Sequence, residues 1–429
     1  MTFSTKNPQI KYWLFSYLDL FGYQRSKLVP ASAVESMIEI GAGFAGFASW
    51  LDLSPADGDL MAIPDLESAI ILPWKKEVKW VACDLFLDDK PLKQSPRYVL
   101  KKLISQINDI GYEMKTGVEA EFFLLDETGK NISDLYDQSK KPCYDQMCLM
   151  RRYEVISEIC DHLNELGWEP YQNDHEDANG QFEINWKYDQ SLRTADKHNF
   201  FKFLVKSVAQ KHGFRATFMP KPFKNLTGNG CHSHISCWDL KSDHSAFTCK
   251  NSDYLSELGF DFLSGILNHA ESISAILNPT VNSYRRTQAD TTSSGSTWAP
   301  RTISWTNNNR THMVRVPENG RFELRLADGA VNPYLLQAAI LAAGILGIEN
   351  KYGLQDISLG DNTIGDGFNE KRLLPANLGE SLTKLDEDEV FKEKIGEDFI
   401  RSYLKLKEKE WQEYLSFFTD WEVKNTLDI

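Results

Sequence analysis

Four short segments of this chain alternate charged with apolar residues at a period of two, and nothing else in the sequence constrains the fold so tightly. Successive side chains of a strand point to opposite faces. In GVEAEFFLL (117–125), Glu119 and Glu121 therefore share one face, while Val118, Ala120 and Phe122 share the other. GCHSHIS (230–236) groups His232, His234 and Ser236 in the same way, and RFELRL (321–326) sets Arg321, Glu323 and Arg325 against Phe322, Leu324 and Leu326. A fourth segment, DHEDANGQFEINW (174–186), carries Glu176 and, beyond a glycine turn, Glu183. One such face is an ordinary solvated sheet surface. Four of them with complementary residue types describe a polar cavity. Glutamates with one or two histidines form an oxygen-rich ligand set suited to Mg²⁺ or Mn²⁺, and arginines offer forked donors to phosphate or carboxylate oxygens. The pattern predicts a pocket for divalent metals and a polyanion, with nucleotide phosphates the obvious candidate.

Around these segments, strands and helices alternate without a clean βαβ rhythm, which predicts an α+β fold. Strands are expected at 12–20, 61–63, 78–87, 117–125, 181–186, 231–238 and 321–326. Helices are expected at 31–40, 96–110, 149–167, 198–212, 253–277 and 333–350, with two more near 400–418. The segment KPLKQSP (90–96), with two prolines and polar residues, breaks regular structure and marks a boundary between residues 1–95 and 96–429. The stretch 287–309 is rich in Ser, Thr, Gly and Asn. It reads as a long loop of the kind that covers a site.

Composition removes several function classes. With 61 acidic and 47 basic residues, the net charge of −14 argues against non-specific nucleic-acid binding. The longest nearly apolar run, 335–348, contains Gln337 and is too short for a membrane span, so it reads as a buried helix. No basic segment followed by an apolar one opens the chain, so no secretory signal is expected. Seven cysteines without a CxxC read as reduced thiols of a cytoplasmic protein.

Other motif readings fail on context. GAGFAG (41–46) fits GxGxxG, and Asp65 and Glu67 lie roughly where a ribose-binding acid would, but the preceding segment is helix-like and no good helix begins at Gly46. There is no P-loop and no GxSxG. CHSHISC (231–237) resembles a zinc cluster, yet in a strand its cysteines oppose its histidines.

Six ordered motifs, from about Gly41 to the C-terminus, resemble those of the glutamine synthetase superfamily. They are VEAEFF (118–123), HEDANGQFE (175–183), FMPKP (218–222), GNGCHSHIS (228–236), NPTVNSY (278–284), and RFELR (321–325) with NPY (332–334). The resemblance implies a small N-terminal β-grasp-like domain and a larger catalytic domain built as a funnel of antiparallel strands flanked by helices. It implies a homo-oligomer of stacked rings, often a dodecamer, with active sites between neighbouring subunits. ATP is the implied co-substrate, with two or three Mg²⁺ or Mn²⁺ ions. By motif position, Glu121, Glu176 and Glu183 resemble ligands of the metal at the glutamate end. Glu119, His232 and Glu323 resemble those of the metal on the ATP phosphates. Arg286, Arg325 and Gly228 resemble substrate-binding groups. Arg310, Arg315 and Arg321 resemble those that neutralise the transferring phosphate, and Ser236 and His234 lie along the nucleotide. The implied reaction phosphorylates the γ-carboxylate of L-glutamate, and an amine then displaces phosphate.

The departures bear on the amine. Where glutamine synthetases carry a glutamate six residues beyond the substrate arginine, this chain has Thr292. The N-terminal stretch that normally supplies a second acid reads GFAGFAS (43–49). Asp59 matches a third family acid and is the remaining candidate to bind and deprotonate the amine. Losing two carboxylates weakens a site for a small hydrated cation, and Phe44 and Phe47 offer apolar room. With GSTWAP (295–300) and RTHMVRVP (310–317), this resembles the γ-glutamylmethylamide synthetase branch, so methylamine is the expected amine and ammonia the close alternative. A ligase for a larger amine would call for acids near Phe44, which are absent. A structural pseudoenzyme would be expected to have lost some metal ligands, and all six are present. Thr227 stands where the family often has Asn, and 366–375 lacks the tyrosine that some bacterial members have nucleotidylylated.

Overall fold

The computed structural model describes residues 10–242, 244–250, 254–289, 292–295, 298–354 and 372–429. Residues 366–371, part of the stretch without an acceptor tyrosine, lie outside them.

The aromatic start of the chain forms β1 (Tyr12–Leu18), which buries Trp13, Phe15 and Tyr17 and pairs as a hairpin with β2 (Gln24–Pro30). Then come β3 (Ala42–Phe44), β4 (Leu60–Pro64), β5 (Ile70–Ile71), β6 (Val78–Leu87) and β7 (Lys90–Pro91). The sheet runs β2-β1-β6-β4-β3, with β5 and β7 also paired to β6. Only β1 and β6 are parallel. The expected helix at 31–40 is a 3₁₀ turn leading into α1 (Val34–Ile40).

The segment 90–96 is more regular than its prolines suggest. Pro91 sits at the sheet edge opposite Phe86, where its missing donor is not needed. Pro96 then opens α2 (Pro96–Asp109) in the first turn. Arg97 on this helix is almost wholly buried and meets Asp65 at 2.7 Å, Asp84 at 2.6 Å and Asp196 at 3.1 Å. It thereby rivets the N-terminal sheet to the rest of the chain.

The remaining strands are β8 (Tyr112–Ala120), β9 (Phe122–Leu125), β10 (Pro170–His175), β11 (Gln181–Trp186), β12 (Asp189–Gln190), β13 (Arg215–Thr217), β14 (Cys231–Asp239), β15 (Trp305–Thr306), β16 (Val314–Glu318) and β17 (Arg321–Leu324). They form a six-stranded sheet, β12-β8-β14-β17-β16-β15, and a four-stranded sheet, β10-β11-β9-β13. All their pairs are antiparallel except β15 with β16. The strand expected at 117–125 is two strands in two sheets. The chain changes partner at Glu121, whose N–H reaches Gly230 O at 3.2 Å before β9 joins β11.

Helices cover the outside of these sheets: α3 (Gln146–Arg151), α4 (Tyr153–Glu165), α5 (Ser191–Lys211), α6 (Glu257–Asn268), α7 (Ala270–Leu277), α8 (Ser283–Thr287), α9 (Pro333–Asn350), α10 (Leu378–Glu387), α11 (Glu389–Ile395), α12 (Glu397–Leu415) and α13 (Asp420–Thr426). The single helices expected at 149–167 and 253–277 are broken at Arg152 and His269, whose backbones leave helical geometry. The C-terminal region holds four helices where two were expected.

Helix α9 is apolar on every side because it is surrounded by α2, α5, α6 and α7. Its 18-residue window is 83% buried, as the sequence predicted for a core helix. Its crossing with α6 is backbone-close: a Cβ on Gly265 would lie 2.0 Å from Ala343 O. Glycine is required there for want of space. Cys231 and Cys237 are buried on the apolar face of β14, and all seven cysteines are free thiols.

Candidate active site

Strand register assembles the site. Antiparallel pairing sets His232 opposite Glu119 across β14 and β8, and His234 opposite Glu323 across β14 and β17. Neighbouring side chains on one face of such a ladder lie within contact distance. His234 Nε2 donates to Glu119 Oε1 at 2.8 Å, and its Nδ1 accepts from Arg321. His232 Nδ1 is 3.4 Å from Glu119 Oε2 and 3.7 Å from Glu323 Oε1. Glu323 is also held by Arg325 at 2.5 Å and Arg315 at 2.9 Å.

Two connected cavities result. The inner one, about 160 Å³, is lined by all six expected metal ligands, Glu119, Glu121, Glu176, Glu183, His232 and Glu323, and by Gly228, Arg286 and Arg325. The outer one, about 800 Å³, is lined by His234, Ser236 and Arg321, with Lys115, Tyr188 and Trp238 beside them. That volume suits a nucleotide-sized ligand. Glu119, Gln172, Arg310 and Arg315 line both, so they stand where anything passes between the chambers. Asp59 is the exception among the expected residues. It lies exposed in the loop before β4 and lines neither cavity of its own chain.

The inner chamber is strongly acidic and under-neutralised. Burial and the neighbouring Glu121 push the Glu176 carboxyl up to about 8. Glu183 is raised well above the usual range by burial and by repulsion from Glu119, Glu176 and Glu121. The opposite holds nearer the outer chamber. Burial alone would raise Glu119, but hydrogen bonds from His232 and His234 hold it well below the usual range. Arg325 and the two histidines likewise outweigh burial at Glu323. Buried carboxylates with no cation of their own are the signature of a site that binds one.

Three groups offer ligand atoms all within 4.8 Å of one another: Glu119, His234 and Glu323; Glu119, Glu183 and His232; and Asp174, Glu176 and Glu183. The donor types fit Mg²⁺ or Mn²⁺. A fourth group, Asp137, Cys148 and His175, is already satisfied internally. His175 joins Asp137 at 2.7 Å and Pro142 O at 2.7 Å, bracing the loop that carries Cys143 and Tyr144 to the chamber wall.

Sequence reasoning missed Asp177, Trp298, Lys221 and Asp174, all of which line the inner chamber. Asp177 Oδ2 accepts from Thr227 Oγ1 at 2.8 Å, Ser294 Oγ at 2.6 Å and Trp298 Nε1 at 2.7 Å. It thus gathers the loop after Arg286 over the chamber. Thr292 is buried there too, beside Ser294 at 3.0 Å. The parity of Asp174 with Glu176 was legible in the sequence. Asp177 lies past the end of β10, where period-two counting no longer applies.

Comparison with known proteins agrees with this geometry. The family description "Glutamine synthetase, catalytic domain" matches residues 93–426. The chain is 58% identical to a glutamine synthetase of Rhizobium meliloti over 424 residues, 98% of this chain and 97% of that one. It is 39% identical to a glutamate–methylamine ligase of Methyloversatilis universalis, covering 99% of this chain and 98% of that one. Among solved structures, a GmaS/ADP complex superposes with a TM-score of 0.92 at 51% identity, covering 98% of this chain and 97% of that one.

Proposed function

The chain belongs to the glutamine synthetase family of ATP-dependent, carbon–nitrogen bond-forming ligases, and from that premise we propose that it joins L-glutamate to methylamine. A carboxylate is a poor acyl donor because its oxygen cannot leave. Phosphoryl transfer from ATP makes that oxygen a leaving group, giving γ-glutamyl phosphate. The amine then attacks the acyl carbon and orthophosphate departs.

The residues fit these steps. Divalent ions held by the carboxylate and imidazole groups would neutralise the triphosphate and the incoming carboxylate. Arg286 and Arg325 line the inner chamber, where the glutamate would sit. Arg310 and Arg315, shared by both cavities, meet the charge of the phosphoryl group in passage. Ser236, His234 and Arg321 line the nucleotide side. Asp177 stands at the covering loop, where its carboxylate would help hold the amine. The loop bearing Thr292, Trp298 and Ala299 excludes the water that would hydrolyse the intermediate.

One observation carries the choice of methylamine. Among the described residues, the covering loop presents Ala289, Thr292, Trp298 and Ala299 to the chamber, an indole ring and small groups beside Asp177. Such a wall accommodates a methyl group. Ammonia is the second reading, favoured by the name of the Rhizobium relative. The test is phosphate release with glutamate and ATP across an amine panel. Higher kcat/KM with methylamine supports the proposal, and higher kcat/KM with ammonia overturns it.

Assembly into stacked rings, a dodecamer, belongs to the same proposal. The exposure of Asp59 fits delivery to a neighbour's site. The C-terminus leaves Phe417 66%, Phe418 90% and Trp421 68% exposed, an apolar tail suited to a second copy.

A further inference from the structure

We infer that Asp174 is a further ligand of the divalent ion at the glutamate end of the inner chamber. Motif position assigns that ion to Glu121, Glu176 and Glu183, and Asp174 stands with all three in the chamber lining. Glu121 Oε2 already accepts from Gly230 N at 2.7 Å and Gln181 Nε2 at 2.9 Å, and Glu121 joins none of the groups of converging ligand atoms. Asp174 converges with Glu176 and Glu183.

The backbone explains why. Asp174 and Glu176 are two apart on and just past β10, so they share a face, and Asp174 is the register partner of Glu183 on β11. The three carboxylates thus come from two hydrogen-bonded strands, a rigid base for a ligand set.

Among the described residues, none neutralises them. Asp174 accepts no hydrogen bond and pairs with no cation among the described residues. Glu183 is 6% exposed and receives only the Asn185 amide, at 3.0 Å on Oε1. Glu176 receives only the N–H of Asp177, at 3.1 Å. Three buried or half-buried carboxylates within 4.8 Å, with no basic side chain paired to them, call for a hard cation with oxygen ligands. Asp174 adds negative charge beside Glu121 at this end and ties the ion to the β10–β11 hairpin.

The inference rests on reading this chamber as a metal site, and its test reads metal binding rather than turnover. Mn²⁺ would be titrated into the metal-free full-length enzyme, with free Mn²⁺ followed by its EPR signal. Asp174→Asn should weaken one class of site by about tenfold or more and leave the others unchanged. Asp174→Glu should recover most of the loss. A second measurement needs no variant: Fe²⁺ with ascorbate and peroxide should cleave the wild-type backbone close to residue 174. Unchanged Mn²⁺ binding by Asp174→Asn, or cleavage that spares this strand while cutting near Glu121, overturns the inference alone. Wild-type protein that binds no Mn²⁺ overturns the metal-site reading with it.

Discussion

The carboxyl of Glu176 stands at about 8 in the metal-free protein, so a proton competes with any cation for it. Apparent metal affinity is then reduced by a factor of one plus ten raised to the gap between that value and the pH. The factor is roughly 100 at pH 6, about 11 at pH 7 and about 2 at pH 8. Affinity at this site should therefore rise roughly 50-fold from pH 6 to pH 8, on the order of 2 kcal/mol. Glu183, also raised, can only steepen the trend. Calorimetric Mn²⁺ titrations at pH 6, 7 and 8, in buffers of different ionisation enthalpy, measure both the affinity and the protons released. At least one proton per ion should leave at pH 7, and more as Glu183 also ionises. Glu176→Gln should weaken binding and flatten the dependence. An affinity that stays level between pH 6 and 8, with no proton release, would refute the picture of a repelled, desolvated carboxylate cluster.

The same group makes folding stability pH-dependent in EDTA. Its folded value exceeds the model-peptide 4.5, so its contribution is fully present below about 4.5 and is lost as pH rises through about 8. Thermal unfolding should show this decline, and Mn²⁺ should abolish it. Asp177→Ala should free the covering loop and raise the amine KM by more than about tenfold with little change in the KM for ATP, since it removes three hydrogen bonds around one carboxylate. Arg97→Ala leaves Asp65, Asp84 and Asp196 facing one another and should cost about 3–5 kcal/mol in denaturant unfolding. Deleting residues 417–429 removes the exposed aromatic tail and should shrink the particle on size-exclusion chromatography. An unchanged elution volume would count against the tail as an assembly surface.

Much of the site was legible because strands count in twos. Glu119, His232, His234 and Glu323 could be assigned to shared faces from spacing alone, and register then brought those faces together. Helix α9 was readable end to end, from Pro333 in its first turn to Asn350. Breaks were harder. The helix boundaries at Arg152 and His269 lack Gly or Pro and follow from how neighbouring helices dock. The partner change at Glu121 depends on Gly230, more than a hundred residues away. Asp177 was missed for the same reason: its partners lie on two distant loops that only the folded chain brings together.

The passage of one continuous segment from β8 into β9 also limits how this molecule can move. Glu119 lines both chambers and Glu121 only the inner one, and a single residue separates them. Covalent geometry caps their Cα separation at roughly 7 Å. The two sheets cannot move apart at this point without breaking the chain. On the proposed reaction, the span across which phosphate would travel is therefore a built-in ruler, and opening for entry and exit falls to the loops around it.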